Sequence, residues 1–255
     1  MRTLRLVIEY DGTEFSGWQV QPGRPTIQGI LADLCGKILR EPVKIIGASR
    51  TDAGVHALGQ VASVTTESGL HQLAIRSALN SLLPPAIRVR SVEEAPEGFD
   101  ARRRARTKRY VYLIENSPVA TPLLRSFAWH VSHPLDETRM AAALPVLRGK
   151  QDFSAFCAAP GRARNPVCHV FSARIVRRRE LIAFLFSADS FLHHMVRNIV
   201  GSLVEVGKGR RPPEWMRELL SAKDRTLAGP TAPARGLMLL RVLYPRAPGW
   251  GGVAY

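Results

Sequence analysis

Acidic residues are scarce in this chain. Only 21 Asp and Glu stand against 36 Lys and Arg in 255 residues, a formal charge of +15 with a pI near 10.8. That imbalance argues against basic partners and points to a polyanion, nucleic acid first among them. Cysteine is also scarce. Cys35, Cys157 and Cys168 are odd in number and far apart, which excludes a disulfide framework and fits reduced thiols in a cytoplasmic protein. Long apolar runs are missing: Leu181 to Phe186 is among the longest and is far too short to cross a bilayer, so no membrane association is expected. The opening MRTLRLVIEY alternates like a strand, so no secretory leader is expected.

Catalytic signatures of the common kinds are missing too. No CxxC or HExxH pair occurs, nor a Walker loop, dinucleotide fingerprint, GxSxG elbow or kinase motif. Adjacent His193 and His194 suggest a metal pair. They are expected to lie on a helix, where consecutive side chains diverge, so no metal site is expected. The chemistry is expected to proceed without a bound cofactor.

What the chain does have is clustered arginine. Phe99 to Tyr110 reads FDARRRARTKRY and gathers Arg102, Arg103, Arg104, Arg106, Lys108 and Arg109. Arg174, Arg177, Arg178 and Arg179 form a second cluster, and Lys208, Arg210 and Arg211 a third. A lone charge run is usually a solvated face; three of them favour phosphate binding.

The apolar periodicity predicts a repeated element order. Leu4, Leu6, Ile8 and Tyr10 alternate as in a half-buried strand. Thr26 can cap a helix through Ile38, and Val43 to Ile46 reads as a short strand. A strand around Gln60 to Thr65, a helix over Leu73 to Leu83 stopped by Pro84-Pro85, and a strand at Ile87 to Val92 follow. The order is β-α-β-β-α-β, the ferredoxin-like pattern. The second half repeats it with strands at Tyr110 to Ile114 and Phe127 to Val131 and a helix from Asp136 through Leu147. A hairpin of Val170 to Val176 with Leu181 to Ala188, a long helix over Phe191 to Val206, a short helix after Pro213 and a last strand at Leu237 to Leu243 complete it. The expected fold is therefore mixed α+β. Two ferredoxin-like units, 1–105 and 106–245, would join antiparallel sheets around a central basic cleft. The Gly- and Pro-rich tail 246–255 is expected to be disordered.

Between two short apolar runs lies Arg50-Thr51-Asp52-Ala53-Gly54-Val55-His56, RTDAGVH. A guanidinium beside a carboxylate keeps it ionised and oriented, and a glycine permits a tight turn. Asp52 is thus a candidate nucleophile or base. An ordinary turn with a surface Arg–Asp pair fits the same spacing. Tyr110 and Tyr112 share a strand face. Tyr110, nearer the charged end, is the better candidate to stack on a base, and Tyr112 reads as core. Arg197 lies on an otherwise apolar helix, with His194, Asn198 and Gly201 at helical spacing. A non-catalytic RNA-binding protein and an N-glycosidic hydrolase would share these features.

Colinear blocks separate these readings. RTDAGVH resembles the signature loop of the tRNA pseudouridine synthase A family. IEYDGTEFSGWQ (8–19), KRYVY (108–112), DFSAF (152–156), FLHHMVRNIVGSLVEVG (191–207) and AGPTAPARGLMLLRVLYP (228–245) are similar to its other blocks, in order. Ser49 departs from the glycine usual before the motif. The resemblance implies the pseudouridine synthase fold and isomerisation of uridine at positions 38, 39 and 40 of the tRNA anticodon arm. It implies a homodimer, with no metal or organic cofactor. It assigns Asp52 as the essential aspartate, Tyr110 as the contact to the target uracil, and Arg50 and Arg197 as arginines near the aspartate. Arg102, Arg103, Arg104, Arg106, Lys108 and Arg109 would grip RNA.

Overall fold

A computed structural model of the chain describes residues 1–158 and 165–245, and the tail expectation for 246–255 lies outside them. The chain divides into two compact units. One is Met1–Arg106 together with the chain from Leu239 onward; the other is Thr107–Met238.

The first unit opens with β1 (Arg2–Tyr10), whose alternation buries Leu4, Leu6, Ile8 and Tyr10. Helix α1 (Ile27–Leu39) starts where expected, with the Thr26 hydroxyl accepting from the Gly29 N–H. Next come β2 (Ile46–Gly47), β3 (His56–Thr66), α2 (Gln72–Leu82) and β4 (Ile87–Ala95). Helix α2 ends just before Pro84, whose ring cannot continue it. Strand β1 pairs antiparallel with both β3 and β4, and β2 pairs with β3. The order is therefore β4-β1-β3-β2, which is that of a ferredoxin-like sheet. Ile27 and Leu31 of α1 and Ile75 and Leu79 of α2 are wholly buried, as are Leu4, Leu6 and Ile8 of β1. Each such side chain contributes about 1.5–3 kcal/mol by leaving water.

In the first unit, one element is much shorter than expected. The strand at Val43 to Ile46 is reduced to Ile46–Gly47. The Ile45 carbonyl is already taken by the Gln28 amide of α1, so it is drawn toward a helix side chain. Further along, β10 (Leu237–Leu243) lies beside β3; Gly59 faces the Leu240 carbonyl so closely that a Cβ would stand 2.5 Å from it.

The second unit runs β5 (Thr107–Glu115), β6 (Trp129–His130), α3 (Glu137–Ala142), β7 (Gly149–Asp152), β8 (Val167–Arg178), β9 (Leu181–Ala188), α4 (Met195–Gly207) and α5 (Trp215–Ala222). Strand β9 pairs antiparallel with β5 and β8, and β7 adds outside β8. The β5-β9-β8 order repeats the β1-β3-β2 order of the first unit. Helix α3 is capped by Asp136 as expected but ends at Ala142, because Pro145 opens a separate 3-10 turn. Strand β7 is polar, Gly-Lys-Gln-Asp, so alternation could not reveal it. Helix α4 begins at Met195, four residues later than expected, after His194 in the left-handed region at φ 61°.

Candidate functional site

The RTDAGVH residues fill the connection from β2 to β3. Val55 N–H donates to the Asp52 carbonyl at 3.1 Å, closing a four-residue turn. Gly54 sits third in it at φ 76°, a conformation glycine adopts without cost. Asp52 is half-buried, Arg50 is exposed, and Thr51, Val55 and His56 are buried. Asp52 and Arg50 therefore share one loop as the sequence predicts.

A second loop, 11–18, supports this one from behind. Trp18 N–H donates to the Thr51 carbonyl at 3.0 Å. A Cβ on Gly12 would lie 2.0 Å from the Val55 oxygen, and one on Gly17 (φ 87°) 2.7 Å from the Thr51 oxygen. Only glycine lets the two backbones come this close. Trp18 is buried with its ring over Gly47, where a Cβ would stand 2.4 Å from the ring. His56 Nδ1 stands 3.0 Å from the Gly12 nitrogen and 3.1 Å from Asp11 Oδ1. As acceptor it takes the Gly12 N–H; as donor it serves Asp11. Burial works to raise the Asp11 pKa, but hydrogen bonds from the Thr13 hydroxyl and N–H, with His56 beside it, leave it below the usual carboxylate value. The DG and SG of the 8–19 block thus read as packing glycines, a role not legible from the sequence.

In the second unit, Tyr110 and Tyr112 share one face of β5, opposite Phe186 and Phe184 of β9. Tyr112 is wholly buried and donates to the Pro233 carbonyl at 2.7 Å. Burial pushes its phenol well above the ordinary value, against the opposing pull of Arg197 and Arg235. It is core, as expected. Tyr110 is buried too, at 5% exposure, with Phe191 edge-on at 5.1 Å.

Arg197 lies on α4, and its Nε donates to the Ala232 carbonyl at 2.8 Å, while Ala232 N–H returns to the Arg197 carbonyl at 3.1 Å. Its neighbour Asn198 is wholly buried. The Asn198 amide donates to the Phe156 carbonyl at 2.7 Å and its oxygen accepts from Thr231 and Arg225. His193 and His194 precede the helix, and their ring centroids lie 3.9 Å apart, tilted by 34°, instead of diverging. The helical geometry expected of them does not apply, because that segment is not helical.

The basic clusters separate by environment. Arg102, Arg103 and Arg104 are exposed on a turn whose backbone is held by Asp100, and Arg106 and Arg109 are exposed as well; Lys108 is half-buried. Arg177 is structural instead: it donates to the Leu135 carbonyl and to Asn116 Oδ1. Lys208 and Arg210 pair with Glu205, and Arg211 lies over the Trp215 ring. The third cluster is therefore largely occupied within the protein.

Among the described residues, no helix is long and apolar enough to cross a membrane. The family model for tRNA pseudouridine synthase matches residues 6–102 and 143–245. A tRNA pseudouridine synthase A from Myxococcus xanthus is 44% identical over 249 residues, covering 97% of this chain and 94% of its own. That of Brevibacillus brevis is 42% identical over 244 residues, covering 96% and 100%. Among solved structures, a Cbf5–Nop10–Gar1 complex is 13% identical with a TM-score of 0.38, covering 92% of this chain and 48% of that one.

Proposed function

Since the chain belongs to the tRNA pseudouridine synthase family, and so is an isomerase that converts uridine to pseudouridine in tRNA, we propose that it acts at positions 38, 39 and 40 of the anticodon stem-loop with Asp52 as its catalytic carboxylate. The observation that carries this is the Asp52 loop itself. It is a half-buried carboxylate on a turn braced by a second loop through packing glycines and a backbone hydrogen bond. A group so held loses little entropy on meeting its substrate.

The reaction breaks the N1–C1′ bond of uridine and forms C5–C1′. No atom is gained or lost from the nucleoside and no electron leaves it; the C5 proton is released and N1 takes one up. The target base first leaves its stack, which costs a few kcal/mol. Exposed Arg102, Arg103, Arg104, Arg106 and Arg109, with Lys108, offset that cost by gripping phosphates. Asp52 then attacks C1′ or C6, or removes the C2′ proton; carboxylates serve glycosidic chemistry in such roles. Tyr110 is the proposed contact to uracil, and Arg50 and Arg197 the proposed arginines of the site. The enzyme is proposed to be a cytoplasmic homodimer.

The test uses undermodified tRNA with uridines in the anticodon arm, incubated without added metal, with pseudouridine mapped afterwards. Wild type is expected to convert positions 38–40. Asp52→Ala and Asp52→Asn are expected to convert none while retaining most tRNA binding. Activity remaining in Asp52→Ala would overturn the assignment.

A further inference from the structure

Strand β2 ends at Gly47, and Ala48 N–H makes one last ladder bond, to the Val61 carbonyl at 2.8 Å. Beyond it the chain leaves β3, and a side chain from β3 takes over the pairing. Gln60, wholly buried, accepts from the Ser49 N–H at 3.2 Å through Oε1 and donates to the Ser49 carbonyl at 2.7 Å through Nε2. The planar amide thus serves Ser49 as a neighbouring strand's backbone would. Oε1 also accepts from the Val61 N–H at 3.2 Å, and Nε2 lies 3.4 Å from the Tyr10 hydroxyl. Tyr10, nearly as buried, shares a 2.7 Å hydrogen bond with the Thr51 hydroxyl. Ser49 and Thr51 are the residues three and one before Asp52. The amide head has two donors and two acceptor sites, and all four are used here.

We propose that Gln60 is a positioning residue for the isomerisation: acting through Ser49 and through the Tyr10–Thr51 pair, it sets where the Asp52 carboxylate stands. This rests on Asp52 being the catalytic carboxylate. Only a Gln side chain supplies donor and acceptor at this reach: Asn is a methylene short, Glu lacks the donor, and Leu or Met lacks both. Where geometry governs rate, a displacement on the order of 1 Å costs about 100-fold. Gln60 is wholly buried, so its loss is expected in the chemical step and not in tRNA binding.

The test compares wild type with Gln60→Met and Gln60→Glu, measuring kcat, KM for tRNA and the thermal midpoint. Gln60→Met keeps the volume and removes the hydrogen bonds; kcat is expected to fall about 100-fold with KM within about threefold. Gln60→Glu keeps the acceptor. Its buried carboxyl titrates upward of the usual range, and when protonated it regains an O–H donor toward Ser49 or Tyr10. Tyr10 on β1 is the titratable side chain that the head of residue 60 meets; its other partners are backbone groups of Ser49 and Val61. The ratio of Gln60→Glu to wild-type kcat is therefore expected to rise as pH falls from about 8 to about 5.5. That recovery is one a merely structural role would not produce. A ratio near one at every pH, or a loss carried wholly by KM, would overturn the proposal. An inactive Asp52→Ala beside a fully active Gln60→Glu sinks this inference alone; an active Asp52→Ala sinks the assignment of Asp52 beneath it.

Discussion

At Asp11 the carboxylate does local work that its sequence neighbours only half announce. The Asp-Gly after β1 reads as a turn, and Asp11 does accept from the Thr13 N–H and hydroxyl. What the spacing does not disclose is that His56, from the RTDAGVH loop, meets the same carboxylate. The Asp11 pKa lies below its ordinary 3.8 in the folded protein. The folded state therefore releases this proton more readily than the unfolded chain. The resulting stability is present above the unfolded value and is lost as pH falls through the lower folded value. Wild type is expected to melt higher than Asp11→Asn at pH 7, with the gap closing below about pH 4 in thermal melts. A gap that stays constant to pH 3 would show that the ionised carboxylate contributes nothing. Asp52, Arg50 and Tyr110 are all legible as candidates because residue type and motif mark them. Gln60 is not, since a Gln in an apolar strand carries no mark of what its amide will meet.

The element most altered by tertiary context is α4. Its apolar stripe predicts a helix, and Met195, Val196, Ile199, Val200, Leu203 and Val204 are all buried. Its polar residues suggest a functional face. Instead, Asn198, Gly201 and Ser202 receive the loop 228–233. Ser202 accepts from the Gly229 N–H at 3.0 Å, and a Cβ on Gly201 would lie 1.7 Å from the Pro230 oxygen. The same loop carries Ala232, whose carbonyl holds the Arg197 guanidinium. Gly201→Ala is expected to push the loop off the helix at a cost of about 1–3 kcal/mol, the usual range for overpacking. It should lower the denaturation midpoint and also slow uridine conversion. An alanine variant as stable as wild type would mean that the loop accommodates the methyl group. The block AGPTAP is thus explained as a strap on α4. The late start of α4 has a backbone cause: His194 at φ 61° cannot belong to a right-handed helix.

For the whole molecule, the charge of +15 makes binding to tRNA a salt-dependent event. The clusters differ in their partners: the 102–106 bank faces solvent on its turn, while Arg177 donates to the Leu135 carbonyl and Lys208 and the exposed Arg210 pair with Glu205. Replacing Arg102, Arg103 and Arg104 together by Ala is expected to weaken tRNA binding. It should flatten the plot of log affinity against log salt by about two, at roughly 0.7 for each phosphate that no longer meets an arginine. An unchanged slope would remove this bank from the RNA grip. The sequence by itself determined α1, α2, β1, β8, β9 and the extent of β10, the polyanionic partner and the family. Each of these is written locally, in apolar period, capping residue, charge count or a short ordered motif. Only the tertiary structure decided the shortness of β2, the strap on α4 and the support beneath Asp52. Those depend on partners far apart in the chain, such as Thr51 with Tyr10, 41 residues away, and Asn198 with Phe156, 42 away. A buried amide or hydroxyl must find a partner wherever the fold brings one, and the sequence pattern around it carries no record of which.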